Sequence, residues 1–129
     1  MNTPIFVRHQ GKYMRISLKE IVYIEARKNY SRIVYLNKES LVIPIPLKAW
    51  LDILPHEVFV MVHRSYIVGL DYIDKFDKDY IWCKGGEVIR IGEIYRSQLA
   101  ERVLIYTGAE KWQSLLQHQR KENASIVVL

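Results

Sequence analysis

A chain of 129 residues, half of them apolar and about a quarter charged, fits one globular domain that can bury a core without metal or disulfide staples, and is not a disordered segment. Its formal charge of +5 and pI near 9.3 favour a polyanionic partner without identifying one. Cys83 is the single cysteine, so an internal disulfide is excluded and a reducing cytoplasm fits; Met1 to Gln10 has no export-signal core, and no window has the length of a membrane span, so a cytoplasmic protein with no membrane partner is expected.

Taken in order, residues 1–10 form an N-terminal arm before the first expected strand, Tyr13 to Leu18. Lys19-Glu20 breaks the pattern, and Ile21 to Ala26, apolar on both faces, reads as a strand covered on two sides. Arg27 to Ser31 interrupts before a third strand, Ile33 to Leu36; Asn37-Lys38-Glu39 is a turn, and Leu41, Ile43 and Ile45 line one face of a fourth. Pro46 suits a helix start, with Leu47, Trp50, Leu51 and Leu54 as an apolar stripe before Pro55 ends it. Phe59 to Val62 and Tyr66 to Val68 are β-prone runs separated by His63-Arg64-Ser65. Tyr72 to Phe76 and Tyr80 to Cys83 pair across Asp77-Lys78-Asp79, and Gly85-Gly86 turns the chain into Val88 to Ile91. From Glu93 the period becomes helical, with Tyr95, Leu99, Val103 and Tyr106 on one face. Thr107-Gly108 is the candidate boundary to a C-terminal helical extension, 107–129, where Glu110 to Lys121 carries the apolar Trp112, Leu115 and Leu116. That stripe must pack on the domain or meet another chain, and we expect it to serve self-association or partner docking.

Catalytic chemistry finds little footing. His9, His56, His63 and His118 are scattered without zinc-site spacing, Gly85-Gly86 lacks the later glycine and lysine of a phosphate-cradling loop, and no nucleophile elbow or marked carboxylate pair is present. The expectation is a protein that is not an enzyme and uses no cofactor or metal.

Two segments suit nucleic acid, and the hand-over from the last strand to the helix at Gly92-Glu93 is a third candidate. Arg27-Lys28-Asn29-Tyr30-Ser31-Arg32 sets three cations around an amide, a phenol and a hydroxyl; read alone it is better explained as a solvated hairpin loop that keeps an edge soluble. His63-Arg64-Ser65 is a cationic loop between rigid runs, which suits phosphates and base edges. Function is favoured there for Arg64 and Ser65, while His63 divides evenly between a contact and an internally satisfied side chain.

These segments also carry a resemblance. Ile21-Val22-Tyr23-Ile24-Glu25-Ala26 followed by Asn29-Tyr30, then Phe59 to Asp77 around His63-Arg64-Ser65, then Gly85-Gly86 leading to Ile89-Arg90-Ile91-Gly92, resemble in order and spacing the LytTR family of bacterial DNA-binding domains. The likeness covers roughly Gly11 to Tyr106, and 11–106 is the expected DNA-binding domain. It implies a mainly β fold, an elongated antiparallel β-sandwich with one or two short helices, to which the C-terminal helix is added. It further implies a transcription regulator of the kind found as the output domain of response regulators, which reads successive major grooves of double-stranded DNA through loops, on paired direct repeats, with room for a homodimer on DNA and a separate signalling partner. About ten residues before the first strand are too few for a receiver domain, so the chain is either a free-standing regulator or a fragment.

On this reading Asn29, Tyr30, Ser31, Arg64 and Ser65 read bases, His63 lies among them, and Lys28, Arg32, Arg90 and Arg96 contact phosphates. The family often carries Ser-Arg where this chain has Gly92-Glu93. Glu93 is better explained as a first-turn helix residue favoured by the macrodipole than as a base reader. Two alternatives stand beside it: an orphan LytTR-like interaction module with weak or no specific DNA binding, and a small hydrolase or redox protein using Cys83.

Overall fold

The computed structural model describes residues 3–106. Ile5–His9 (β1) and Lys12–Ile16 (β2) form an antiparallel hairpin closed by Gln10-Gly11, both at positive φ (53° and 76°), as a tight I′ turn requires. β1 replaces the expected arm. Ile5 and Val7 face Ile16 and Met14 in register, and Val7 is buried against the main core, so a short alternation suffices once a partner strand supplies the facing residues.

The central sheet comprises Ile21–Arg27 (β3), Tyr30–Tyr35 (β4), Ser40–Ile43 (β5), Phe59–His63 (β6) and Tyr66–Gly69 (β7), antiparallel throughout, in the order β5-β4-β3-β7-β6. A second sheet, Ile73–Phe76 (β8), Tyr80–Cys83 (β9) and Val88–Arg90 (β10), runs β10-β9-β8. The central sheet is covered on both faces. Ile21, Ile24, Ile33, Ile43, Met61 and Ile67 pack with the β1–β2 hairpin and with Leu47, Trp50 and Leu54. On the other face Val22, Tyr23, Val60, Val62 and Val68 pack with Ile81, Cys83, Ile89, Leu99 and Ala100. This is why β3 is apolar on both sides, and it gives the mainly β fold with few helices that the sequence implies; each fully buried Ile or Val contributes roughly 1.5–3 kcal/mol.

Both helices are shorter than their apolar periods suggest. Leu47–Trp50 (α1) is a single turn, after which Leu51, Asp52 and Ile53 make tight bonds to the third residue back. Leu47, Trp50 and Leu54 are buried, but Leu51 is half-exposed. At the other end Glu93–Tyr95 is 3-10 helix and only Arg96–Glu101 (α2) is α-helical. The change of helix type breaks the expected face: Tyr95 packs with the first core, Leu99 with the second, and Tyr106 is exposed. Arg102 is the C-cap of α2, and its side chain donates to the carbonyls of His56 and Phe59. The expected helix over residues 110–121 lies outside the described residues.

Candidate nucleic-acid interface

Antiparallel pairing brings three connections to one end of the central sheet. Arg27 pairs with Tyr30, leaving Lys28-Asn29 as the β3–β4 tip; His63 pairs with Tyr66, leaving Arg64-Ser65 as the β6–β7 turn. Backbone bonds tie the first two together and add a third segment: Ala26 N–H donates to Ser65 O at 2.9 Å, and Gly92 N–H to Val62 O at 2.8 Å. Loops far apart in sequence, 27–30, 64–65 and 90–93, are therefore neighbours.

The β6–β7 turn is built on a bulge. Pairing shifts between Met61 and His63, which re-aims His63 along the sheet, as bulges do. Its Nδ1 accepts the Ser65 N–H at 3.1 Å and its ring meets Tyr66 edge-on at 5.7 Å. Partial burial, with Arg64 and Arg90 nearby, holds the imidazole below its usual pKa. Nδ1 of His63 thus has an internal partner, and this bond braces the turn that displays Arg64.

From His63 a row crosses the sheet: Tyr66 packs edge-on against Tyr23 at 5.9 Å, and the Arg32 guanidinium lies over the Tyr23 ring at 5.9 Å. Glu25 joins the row. Its Oε1 accepts from Arg32 Nε at 2.9 Å and Arg27 Nε at 3.2 Å, and its Oε2 from the Tyr66 hydroxyl at 3.1 Å. Burial pushes the Glu25 carboxyl upward, but these bonds outweigh it and hold the group below the ordinary carboxylate value. Sequence reasoning gave Tyr23, Glu25 and Tyr66 no role. The available signal was Glu25, a carboxylate inside an otherwise apolar strand, two residues from Tyr23 and so on the same face.

The expected contact residues separate accordingly. Lys28, Asn29 and Arg64 are exposed, and Tyr30 is half-exposed. Arg90 is exposed and leans on Tyr80, its Nη1 donating to the hydroxyl at 3.3 Å. Ser65 is half-buried, with its backbone bonded on both sides. Three of the expected contact residues have partners within the fold. Ser31 is fully buried; it accepts from Trp50 Nε1 at 3.0 Å and donates to the Ile45 carbonyl, so it belongs to the core. Arg32 is committed to Glu25 and Tyr23. Arg96 is committed to Asp79 at 2.9 Å and the Lys78 carbonyl at 2.8 Å, anchoring the β8–β9 turn.

The family model for the LytTr DNA-binding domain matches residues 11–104. The chain belongs to the LytTR family. A solved LytTr DNA-binding domain from Bacillus cereus, described as part of a putative methyl-accepting/DNA response regulator, has the same fold, with a TM-score of 0.65 at 17% identity over 77% of this chain and 94% of that one. The comparison with curated proteins finds no match. Membership in LytTR assigns this chain to DNA binding in transcription regulation, and the three neighbouring connections all fall inside the matched span, whereas β1 precedes it.

At the corner where LytTR domains often carry Ser-Arg, Gly92 caps the 3-10 helix and the exposed Glu93 opens it, the placement expected of a first-turn acid. A Cβ on Gly92 would lie 2.9 Å from Tyr95 Cδ2, so a serine there requires the Tyr95 ring to shift. Cys83 is buried, and burial, with Glu87 nearby, pushes its thiol up to about 11, which favours the protonated form at neutral pH. Among the described residues no His, Cys, Asp and Glu group could hold a metal ion, and no helix is long and apolar enough to cross a membrane.

Proposed function

We propose that this LytTR domain recognises a specific double-stranded DNA site through the end of the sheet where its three connections meet. One observation carries the reading: the backbone bonds Ala26–Ser65 and Gly92–Val62 gather exposed Lys28, Asn29, Tyr30, Arg64 and Arg90 from segments far apart in the chain. Arg64, on a turn braced by His63, offers a bidentate fork for the O6 and N7 edge of guanine; Asn29 and Tyr30 supply amide and phenol contacts to neighbouring bases; Lys28 and Arg90 take backbone phosphates. Display at strand ends suits insertion of loops into the major groove in place of a recognition helix, and two such domains side by side suit a paired direct repeat.

Selection of bound fragments from random duplex DNA with the purified protein tests this. Enrichment of a motif, paired or single, is expected. Binding that remains at the level of any basic protein, with no enriched motif, would overturn specific recognition and place the chain as an interaction module.

A further inference from the structure

Two arginines share one oxygen of Glu25 but are not held equally. Arg32 is about a quarter exposed and has a second partner, its Nη2 lying 3.2 Å from the Tyr23 hydroxyl. Arg27 is 55% exposed and is held at Glu25 by the 3.2 Å contact alone, at the base of the tip that displays Lys28, Asn29 and Tyr30. Glu25 itself is only 20% exposed and is pinned by the Tyr66 hydroxyl and Arg32, so its Oε1 is a preset anchor. Carboxylate and phosphate are alternative partners for the same guanidinium fork.

Resting on the DNA-binding reading above, we propose that Glu25 competes with the DNA backbone for Arg27 and so limits the strength of sequence-blind binding. By holding this cation against the sheet it subtracts one sequence-blind phosphate contact from the tip, while leaving Lys28, Asn29 and Tyr30 free. The phosphate term is common to all sequences and dominates non-specific binding, so withholding a cation lowers affinity and salt dependence on every duplex alike. Tyr66 extends the arrangement to the Arg64 turn, because the same carboxylate accepts its hydroxyl beside Ser65.

Salt titrations on the selected duplex and on a scrambled one read the effect. In the otherwise unaltered protein, Arg27→Ala is expected to leave the scrambled-duplex salt slope unchanged, whereas Lys28→Ala lowers it by about one unit. Glu25→Gln is expected to steepen the scrambled slope by about one unit, an extra loss of about fourfold in affinity between roughly 50 and 200 mM salt, and to steepen the slope on the selected duplex equally. Glu25→Gln/Arg27→Ala is expected to return the slope to its starting value. Glu87→Gln removes the same charge from a group near Tyr23 and Tyr66 without freeing an arginine, and is expected to leave the slope unchanged. A selective protein whose slope falls as much for Arg27→Ala as for Lys28→Ala overturns the inference alone, and this comparison holds even where Glu25→Gln does not fold. Equal steepening by Glu87→Gln also overturns it. A starting protein with no preference for any duplex overturns the reading beneath it.

Discussion

Trp50 donates its indole N–H to the Ser31 hydroxyl at 3.0 Å, and Ser31 donates its own O–H to the Ile45 carbonyl, so the one fully buried polar side chain among the described residues joins α1 to β4 and to the segment after β5. Ser31→Ala leaves the buried Trp50 indole N–H and the part-buried Ile45 carbonyl without this partner, a loss of about 1–3 kcal/mol. The expected outcome is a lower denaturant midpoint with an unchanged salt slope on DNA. A loss of DNA affinity with unchanged stability would return Ser31 to the contact surface.

Arg64 and Lys28 should separate by chemistry. Arg64→Ala is expected to lose about 1–3 kcal/mol on the selected duplex and to relax selectivity at one base position. Lys28 sits at φ 59°, where alanine is as strained as lysine, so Lys28→Ala should weaken all duplexes alike with little change in stability. Equal losses on selected and scrambled DNA for Arg64→Ala would make it a phosphate contact.

Glu93→Arg is expected to tighten binding to every duplex, since an exposed acid beside the proposed interface opposes the phosphate term. Removing an acid from a helix start destabilises by roughly 0.3–1 kcal/mol, to be seen in thermal melting. Weaker binding to the selected site alone would show that Glu93 reads a base, for which a cytosine amino group is the matching donor.

His63 should make stability depend on pH. Its folded-state pKa lies below the ordinary 6.5, so the unfolded chain binds the extra proton more readily; stability is fully present above 6.5, falls as pH drops below it, and levels off under the folded-state value. Glu25 acts in a lower window: with its carboxyl held below 4.5, its contribution is present above that value and lost as pH falls through the folded-state pKa. Denaturation at about pH 8 and about pH 5.5 should show the His63 loss, and His63→Asn, which keeps an acceptor for the Ser65 N–H, should flatten it. A slope unchanged in His63→Asn would assign the effect elsewhere.

The strands were legible where their signals are local. Ile21 to Ala26 and Phe59 to Val68 declare themselves through β-prone runs bounded by turn residues. Alternation is weaker at the chain start, where Ile5 and Val7 need Ile16 and Met14 opposite them to become a strand. Helix lengths were not legible, because α1 and α2 end where backbone bonding tightens and where Arg102 finds carbonyls more than forty residues away.

Residue types, their order and the family they mark were determined by the sequence itself: a mainly β LytTR chain with basic connections at 27–32 and 63–65. Which of those cations and hydroxyls face outward was decided only by the tertiary structure. Ser31 and Tyr30 are adjacent in sequence, yet the pleat sends one to Trp50 and the other to solvent. Arg32 and Arg64 look alike as letters, yet a carboxylate on the neighbouring strand engages the first while a bulge at His63 presents the second. Exposure and ion pairing are properties of neighbours across strands, and pairing register, which no single segment contains, sets who those neighbours are.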